Sequence, residues 1–357
     1  MQTFSRMSVE RAETLLAGFA KVRVAVVGDF FLDKYLDVEP GLAEVSIETG
    51  KTAHQVVSVR HSPGAAGTVV ANLASLGAGE IHAVGFAGDD GEGYELRKDL
   101  DGLGCATEHL HFDPARRTPT YLKPRDRAEP GLAGEHERYD TKNREPTSAD
   151  LERRILGSLD ALLERLDAVI VADQVEEEDC GVITRAVRRA LAERADRFPR
   201  VIFWADSRRR IREFRRVIIK PNQFEAVGRA DPATGETVDL SELAAAVERL
   251  AQRTAAPVAV TRGGEGMLVS SPEPTLVPGV RVPGPIDPTG AGDSATAGAV
   301  LALGAGATLA EAALVGNLVA SITIEQLATT GTARPDELPD RLRLWQTQER
   351  DMSRPNA

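Results

Sequence analysis

Cysteine is nearly missing from this chain of 357 residues: Cys105 and Cys180 are the only two, too few for a disulfide scaffold. Histidine is scarce, with six. His109 and His111 would share a strand face, but they lack the further histidine or cysteine ligands of a zinc site. A basic surplus is also missing, since 43 Lys and Arg stand against 54 Asp and Glu, a formal net charge of −11. That balance argues against nucleic acid as the main partner. Long apolar runs are absent too. The longest uncharged stretch, Ser294 to Ala310, carries three glycines and falls short of the roughly 18 apolar residues of a spanning helix. No membrane crossing is expected. Charges interrupt every apolar stretch near the N-terminus, which removes a signal-peptide core and makes the cytoplasm the expected location.

What is present is a strong alternation of helices and strands. Apolar residues make up 42% of the chain, with 32 glycines beside them, enough for a large buried core. Ser8 can cap a helix whose apolar face is Leu15, Leu16 and Phe19, and Val22 to Val27 reads as a strand ending at Gly28 and Asp29. Further helices are expected near 65–76, 91–103, 149–165, 179–195, 240–253, 291–303 and 308–325. Strands are expected at 81–85, 168–172, 201–205, 217–219 and 257–261. Near-continuous Val, Ile and Ala strands between amphipathic helices predict an α/β fold with a mostly parallel sheet buried on both faces. Residues 37–61 and 112–146 break this rhythm with alternating segments such as Gln55 to Arg60 and Thr118 to Lys123, which predicts a small β excursion on the main sheet. Residues 125–137, charged and containing Pro130, Gly131 and Gly134, read as its mobile tip. The chain reads as one domain over 1–349 with a frayed tail at 350–357.

The strongest local signal is Asp287-Pro-Thr-Gly-Ala-Gly-Asp293 followed by a run of small residues. Unpartnered peptide N–H groups at a helix start form an anion site, and glycines let a phosphate approach the backbone. Gly290, Ala291 and Gly292 would form that cradle, and Asp293 would stand where a carboxylate can take a proton from an attacking hydroxyl. The plain alternative is a helix start with an acidic first turn. Gly50-Lys51-Thr52 imitates the end of a P-loop, but Val45 stands where its first glycine should be. A dinucleotide fingerprint over Gly290 to Ala295 lacks a strand leading into it, since Pro283, Pro285 and Pro288 intervene. Asn222 and Glu225 have the spacing of a capping box. Ser207 to Arg216 holds six arginines, which reads first as a salt-bridged helix face and second as a phosphate contact. Asp173, at the end of a parallel strand, can line a cleft.

Together these segments resemble the ribokinase or phosphofructokinase-B (PfkB) class of carbohydrate kinases. Val26 to Asp33, Pro63 to Ala78, Pro221 to Glu225, Thr261 to Gly263 and Asp287 to Asp293 carry the resemblance in order. Within the class, the chain is most similar to the kinase domain of enzymes that phosphorylate heptose 7-phosphate. The second, nucleotidyl-transferring domain of the bifunctional enzymes has no counterpart in these 357 residues. The resemblance implies a three-layer α/β/α fold with the β excursion as a lid, and an ATP- and Mg²⁺-dependent transfer to a sugar or sugar-phosphate hydroxyl. It implies Asp293 as base and Gly290, Ala291 and Gly292 as anion hole. Asn222 and Glu225 would organise Mg²⁺ mainly through water. Thr261, Gly263 and Asn317 would border the nucleotide, although a polar residue on a small-residue helix is an equal reading of Asn317. Asp33, Gly64 and Thr68 would meet the sugar. Asp287 and Thr289 are candidates for a monovalent cation such as K⁺, with turn stabilisation as the alternative. A homodimer through the lid is expected from lid-paired relatives. Three positions depart from the pattern: Ala65 replaces the second glycine of a Gly-Gly turn, Thr68 replaces an asparagine, and Pro288 replaces threonine or valine. Other readings are a sugar- or nucleotide-binding regulator without turnover, and a nucleoside or fructose-phosphate kinase of the same class.

Overall fold

A computed structural model describes residues 1–129, 134–230, 232–233, 235–327 and 330–352. Six parallel strands form the central sheet, in the spatial order Ile218–Ile219, Ile202–Ser207, Ala168–Asp173, Arg23–Gly28, Glu80–Gly88 and Leu110–Asp113. Each strand turns alternate side chains to opposite faces. Val24, Val26 and Ile170 therefore enter one apolar cluster, and Ala25, Val27 and Val169 enter another. The helices Ala66–Ser75, Ala291–Gly304 and Leu309–Thr323 fill the first cluster, while Ala149–Leu162, Arg185–Arg197 and Leu240–Thr254 fill the second. This is the expected three-layer α/β/α architecture. Past Ile218–Ile219 the sheet is continued by the bridges Ile219 to Val258 and Asn222 to Thr261 into four strands, Ala259–Thr261, Met267–Val269, Thr275–Val277 and Gln2–Thr3.

A second sheet of four strands stands apart, in the order Tyr139–Thr141, Thr120–Asp126, Phe30–Val38 and Val56–Ala65. It is the β excursion expected from the sequence, with shifted limits. Its long strand starts at Phe30 rather than 37, its partner runs on to Ala65, and Leu110–Asp113 belongs to the central sheet. The alternation alone could not show where one sheet ends, because the chain passes from Gly28 to Phe30 with Asp29 as the only residue between the two strands. Of the expected mobile tip, residues 130–133 lie outside the described residues.

Three local expectations need correction. The helix expected near 179–195 begins at Arg185, because Thr184 accepts the Val187 N–H as its N-cap and Asp179 sits at φ 55°. The arginine run is not a helix face but a turn with one short 3-10 segment, Ile211–Glu213. Residues 350–352 continue the Leu338–Met352 helix, which buries Leu338, Leu342 and Trp345, so only residues 353–357 of the expected tail lie outside the described residues.

Candidate active site

The carboxyl ends of the parallel strands carry the charged groups. Asp206 closes Ile202–Ser207, and Lys220 follows Ile218–Ile219. Their side chains form an ion pair of 2.7 Å, with Lys220 only 5% exposed. Directly above lies the start of the Ala291–Gly304 helix. Gly290 is its N-cap at φ 78°, a left-handed conformation that glycine adopts without strain. A Cβ on Gly292 would lie 3.4 Å from Lys220 Nζ and 3.9 Å from Asp206 Oδ2. Asp293 is in the first turn of the helix. Burial, reinforced by the negative charge of Asp206, pushes its carboxyl up to about 7, with Lys220 and Arg208 pulling the other way. A carboxylate poised near neutrality is suited to accept a proton at physiological pH.

Asn222 and Glu225 form the capping box read from their spacing. Asn222 Oδ1 accepts from the N–H groups of Phe224 and Glu225, and Glu225 Oε2 accepts from the Asn222 N–H at 2.7 Å. Burial raises the Glu225 pKa, helped by Asp206. The bridge from Asn222 to Thr261 brings the next segment alongside, and Gly263 continues it. Between that segment and the Ala291–Gly304 helix is a cavity of about 220 Å³, bordered by Thr261, Gly263, Ala291, Gly292 and Asn317. Asn317 Nδ2 donates to the carbonyls of Val277 and Pro278, so it also fastens the loop that closes one wall. Asp287 Oδ1 accepts from the Thr289 N–H, a contact that stabilises the turn before the helix.

On the other side of Gly290 is the Ala66–Ser75 helix, with Thr68 Cγ2 3.4 Å from where a Gly290 Cβ would lie. The chain enters this helix from Gly64 and Ala65. A Cβ on Gly64 would come within 2.9 Å of Asp33 Oδ2, so a larger residue there would push the carboxylate aside. Asp33 is 7% exposed and pairs with Lys123 at 2.9 Å. Register explains the meeting: Asp33 is opposite both Ser62 and Tyr121, with Lys123 two residues further along the same face. The base-side residues and the Asp33 group thus flank the starts of two helices.

Asp173 does not open on this space. It is 2% exposed, Ser207 Oγ donates to it at 2.6 Å, and Arg210 pairs with it at 3.3 Å. Burial and the neighbouring Asp29 push its carboxyl up to about 7. Asp29 accepts three backbone N–H groups, from Gln174, Val175 and Val182. Both acids anchor loops behind the cleft. The arginine run is similarly engaged: Arg208 and Arg209 pair with Glu176, Arg210 also donates to the carbonyls of Val175 and Glu176, and Arg216 pairs with Asp196. His111 is hydrogen-bonded with Ser158, and no metal-holding group of three His, Cys, Asp or Glu occurs among the described residues. Asp206, Lys220 and Lys123 were not anticipated. The first two had a signal, since each follows a Val/Ile/Ala-type strand on the side where parallel sheets gather ligands.

Residues 23–336 match the profile described as pfkB family carbohydrate kinase. The bifunctional protein HldE of Caulobacter vibrioides is 32% identical over 319 residues, 87% of this chain and 62% of that protein. The HldE of Pelobacter propionicus is 30% identical over 337 residues, covering 90% of this chain and 64% of its own length. The chain thus spans less than two thirds of these curated relatives. Among solved structures, phosphofructokinase-2 of Escherichia coli, in complex with substrates and products, superposes with a TM-score of 0.65 at 19% identity, covering 91% of this chain and 99% of that one. Ribokinase of Thermotoga maritima gives 0.61 at 20% identity, with 90% and 99% covered. These two structures share the fold. No helix among the described residues is long and apolar enough to cross a membrane.

Proposed function

Since this chain belongs to the pfkB family of carbohydrate kinases, phosphotransferases that use a sugar hydroxyl as acceptor, we propose that it moves the γ-phosphoryl group of ATP to a sugar or sugar phosphate. The observation that carries the mechanism is Asp293, a half-buried carboxyl that desolvation pushes up to about 7 in the first turn of a helix opened by Gly290. In this reading the acceptor hydroxyl lies between Asp33 and Asp293. Its proton passes to Asp293 as its oxygen attacks the γ-phosphorus, and the amides of Gly290, Ala291 and Gly292 receive the developing charge. The nucleotide would occupy the cavity between Thr261, Gly263 and Asn317. Mg²⁺ would neutralise phosphate charge, held by Asn222 and Glu225 mainly through water. The fit is chemical: both carry hard oxygens, the capping box engages Asn222 Oδ1 and Glu225 Oε2, and the second carboxylate oxygen of Glu225 is the one it does not use. K⁺ beside Asp287 and Thr289 belongs to the same reading.

The acceptor is proposed to be a heptose or hexose phosphate, supported by the HldE relatives at about 30% identity. The 208–216 arginines are largely committed to Glu176, Asp173, Asp196 and backbone carbonyls, as Lys123 is to Asp33 and Arg125 to Asp37, so a phosphate on the sugar would compete with one of these pairs. A homodimer through the 37–61 and 112–146 segments completes the proposal, supported by Ile47 at 99% and Val45 at 72% exposure on the small hairpin of Glu44–Val45 and Thr52–Ala53 between two strands of that sheet. The deciding experiment is a screen of sugars and sugar phosphates for ATP consumption by the purified protein. Turnover of a phosphorylated sugar in preference to its unphosphorylated form is expected. Equal turnover of both rejects the phosphate requirement, and no turnover of any sugar rejects the kinase reading.

A further inference from the structure

Lys220 is a charged group placed where few proteins put one. Its ammonium is buried, and among the described residues its ion-pair partner is Asp206, which occupies one of three donors. Burial works against the charge, yet Asp206, with Asp293 and Glu225 beyond it, outweighs that and holds the lysine pKa above its ordinary value. The position is specific in two directions. Upward, Nζ is 3.4 Å from the point a Gly292 Cβ would occupy, so the absence of a side chain there leaves the ammonium open to whatever the helix-start amides hold. Along the chain, Pro221 alone separates Lys220 from Asn222, whose turn faces Thr261. Lys220 thus stands between the amides proposed for the γ-phosphate and the residues proposed for the metal and remaining phosphates. A structural ion pair would need neither relation.

We propose that Lys220 is a catalytic residue, which donates a hydrogen bond to the β,γ-bridging oxygen as phosphoryl transfer proceeds, with Asp206 positioning its ammonium. The inference rests on the kinase reading above. In the step, the acceptor oxygen forms its bond to the γ-phosphorus while the bond from that phosphorus to the bridging oxygen breaks. The hydroxyl proton passes to Asp293, and the electron pair of the broken bond stays on the bridging oxygen of ADP. Lys220 keeps its proton throughout and meets that new charge. Charge grows on this oxygen between ground state and transition state, so the contact strengthens as the reaction advances, which is what lowers a barrier.

The test compares wild type with Lys220→Met and with the double variant Asp206→Asn/Lys220→Met, in which no buried charge is left unpaired if the single variant fails to fold. Calorimetry measures affinity for MgADP alone and for MgADP with aluminium fluoride, a mimic of the transferring phosphoryl group that needs no knowledge of the sugar. Wild type is expected to bind the fluoride complex more tightly than MgADP. The folded variants should bind MgADP within about threefold of wild type and lose at least about tenfold of the extra affinity for the fluoride complex. With an accepted sugar, kcat should fall by about 10²–10³-fold, the usual cost of removing one transition-state donor. Retention of the full extra affinity in a folded variant overturns the role of Lys220 and leaves the kinase reading intact. Loss of MgADP affinity in step with the fluoride complex also overturns it, since the lysine would then serve ground-state binding only. A wild type that binds no adenine nucleotide overturns both.

Discussion

The helix start at Gly290 and the sheet that carries Asp33, proposed to meet over one cleft, are built on different principles. The first is local. Gly290 to Asp293 are four consecutive residues, and every residue from Ser294 to Ala302 behind them is buried, so the backbone is fixed by packing of small side chains. The second is assembled from afar: Asp33 reaches its setting through Ser62 on one neighbouring strand and Tyr121 on the other. Many of its residues are exposed, Val56, Val57 and Val59 among them. Rigid placement of Asp293, the proposed base, and an outlying, solvent-facing platform for the proposed acceptor are what a reaction needing water exclusion around a variable substrate would require.

The largest effect should come from the rigid side. Asp293→Asn keeps the size of the side chain but cannot take the proton, and kcat should fall by at least about 10²–10⁴-fold. ATP affinity, measured by calorimetry, should stay near wild type, since the amides and Asn222 remain. A folded variant with near-normal turnover would remove Asp293 from the mechanism. Because that carboxyl is pushed up to about 7, kcat/KM of the wild type should be flat above pH 7 and drop about tenfold per unit below it, as the base becomes protonated.

An intermediate effect should mark the outlying sheet. Lys123→Met removes the partner of Asp33; burial of the ammonium opposes its charge, but the charge and hydrogen bond of Asp33 together with Tyr35 raise the lysine pKa. The KM for the sugar should rise by roughly 10–100-fold, in line with loss of a charge-assisted contact, with KM for ATP unchanged. Equal changes in both constants would mean that the two halves of the cleft are not independent, which breaks the contrast drawn above.

A smaller effect concerns stability. A carboxyl whose folded pKa is raised from 3.8 to about 7 binds its proton more tightly when folded. Its contribution is full below pH 4 and is lost as the pH climbs to about 7. Asp293→Asn has no such loss, so its melting temperature should gain on wild type between pH 4 and 7 and hold that gain above. A constant difference across the range would show that the folded protein does not raise the pKa of this carboxyl.

The same contrast explains what could be read from sequence. The helix start at Gly290, the capping box and the parallel core rest on neighbours within a few residues or on strand and helix periods, and all three were legible. Lys123 was not, because its meeting with Asp33 depends on a register between strands some 90 residues apart, which no local pattern encodes. The arginine run misled as a helix face because its charges satisfy carbonyls and acids brought in by other strand ends. Asp173 looked like Asp206 in sequence, each at a strand's carboxyl end. Only the surroundings separate them: Asp173 meets Ser207 and Arg210, and Asp206 meets Lys220 beside the helix start.

The smallest expected effect lies where the two regions join. Ala65 ends the strand Val56–Ala65 and caps the Ala66–Ser75 helix at φ 55° and ψ −117°, a conformation natural to glycine and strained for alanine. Its geometry is fixed from both sides, since Ala65 is opposite Phe30 in the sheet and the Ala66 N–H donates to the Asp29 carbonyl. Ala65→Gly relieves strain of the order of 1–3 kcal/mol but restores about 0.4–1 kcal/mol of freedom to the unfolded chain. The net should be a stabilisation of about 1 kcal/mol, read as a rise of roughly 2 °C in melting temperature for a protein of this size. Because Ala65 joins sheet and helix, the variant should also ease movement of the sheet, seen as faster amide exchange along Val56–Ala65 with exchange in Ala291–Gly304 unchanged. A lower melting temperature would show that the Ala65 methyl packs more than it strains, and faster exchange in both segments would show that the outlying sheet and the Ala291–Gly304 helix move as one body.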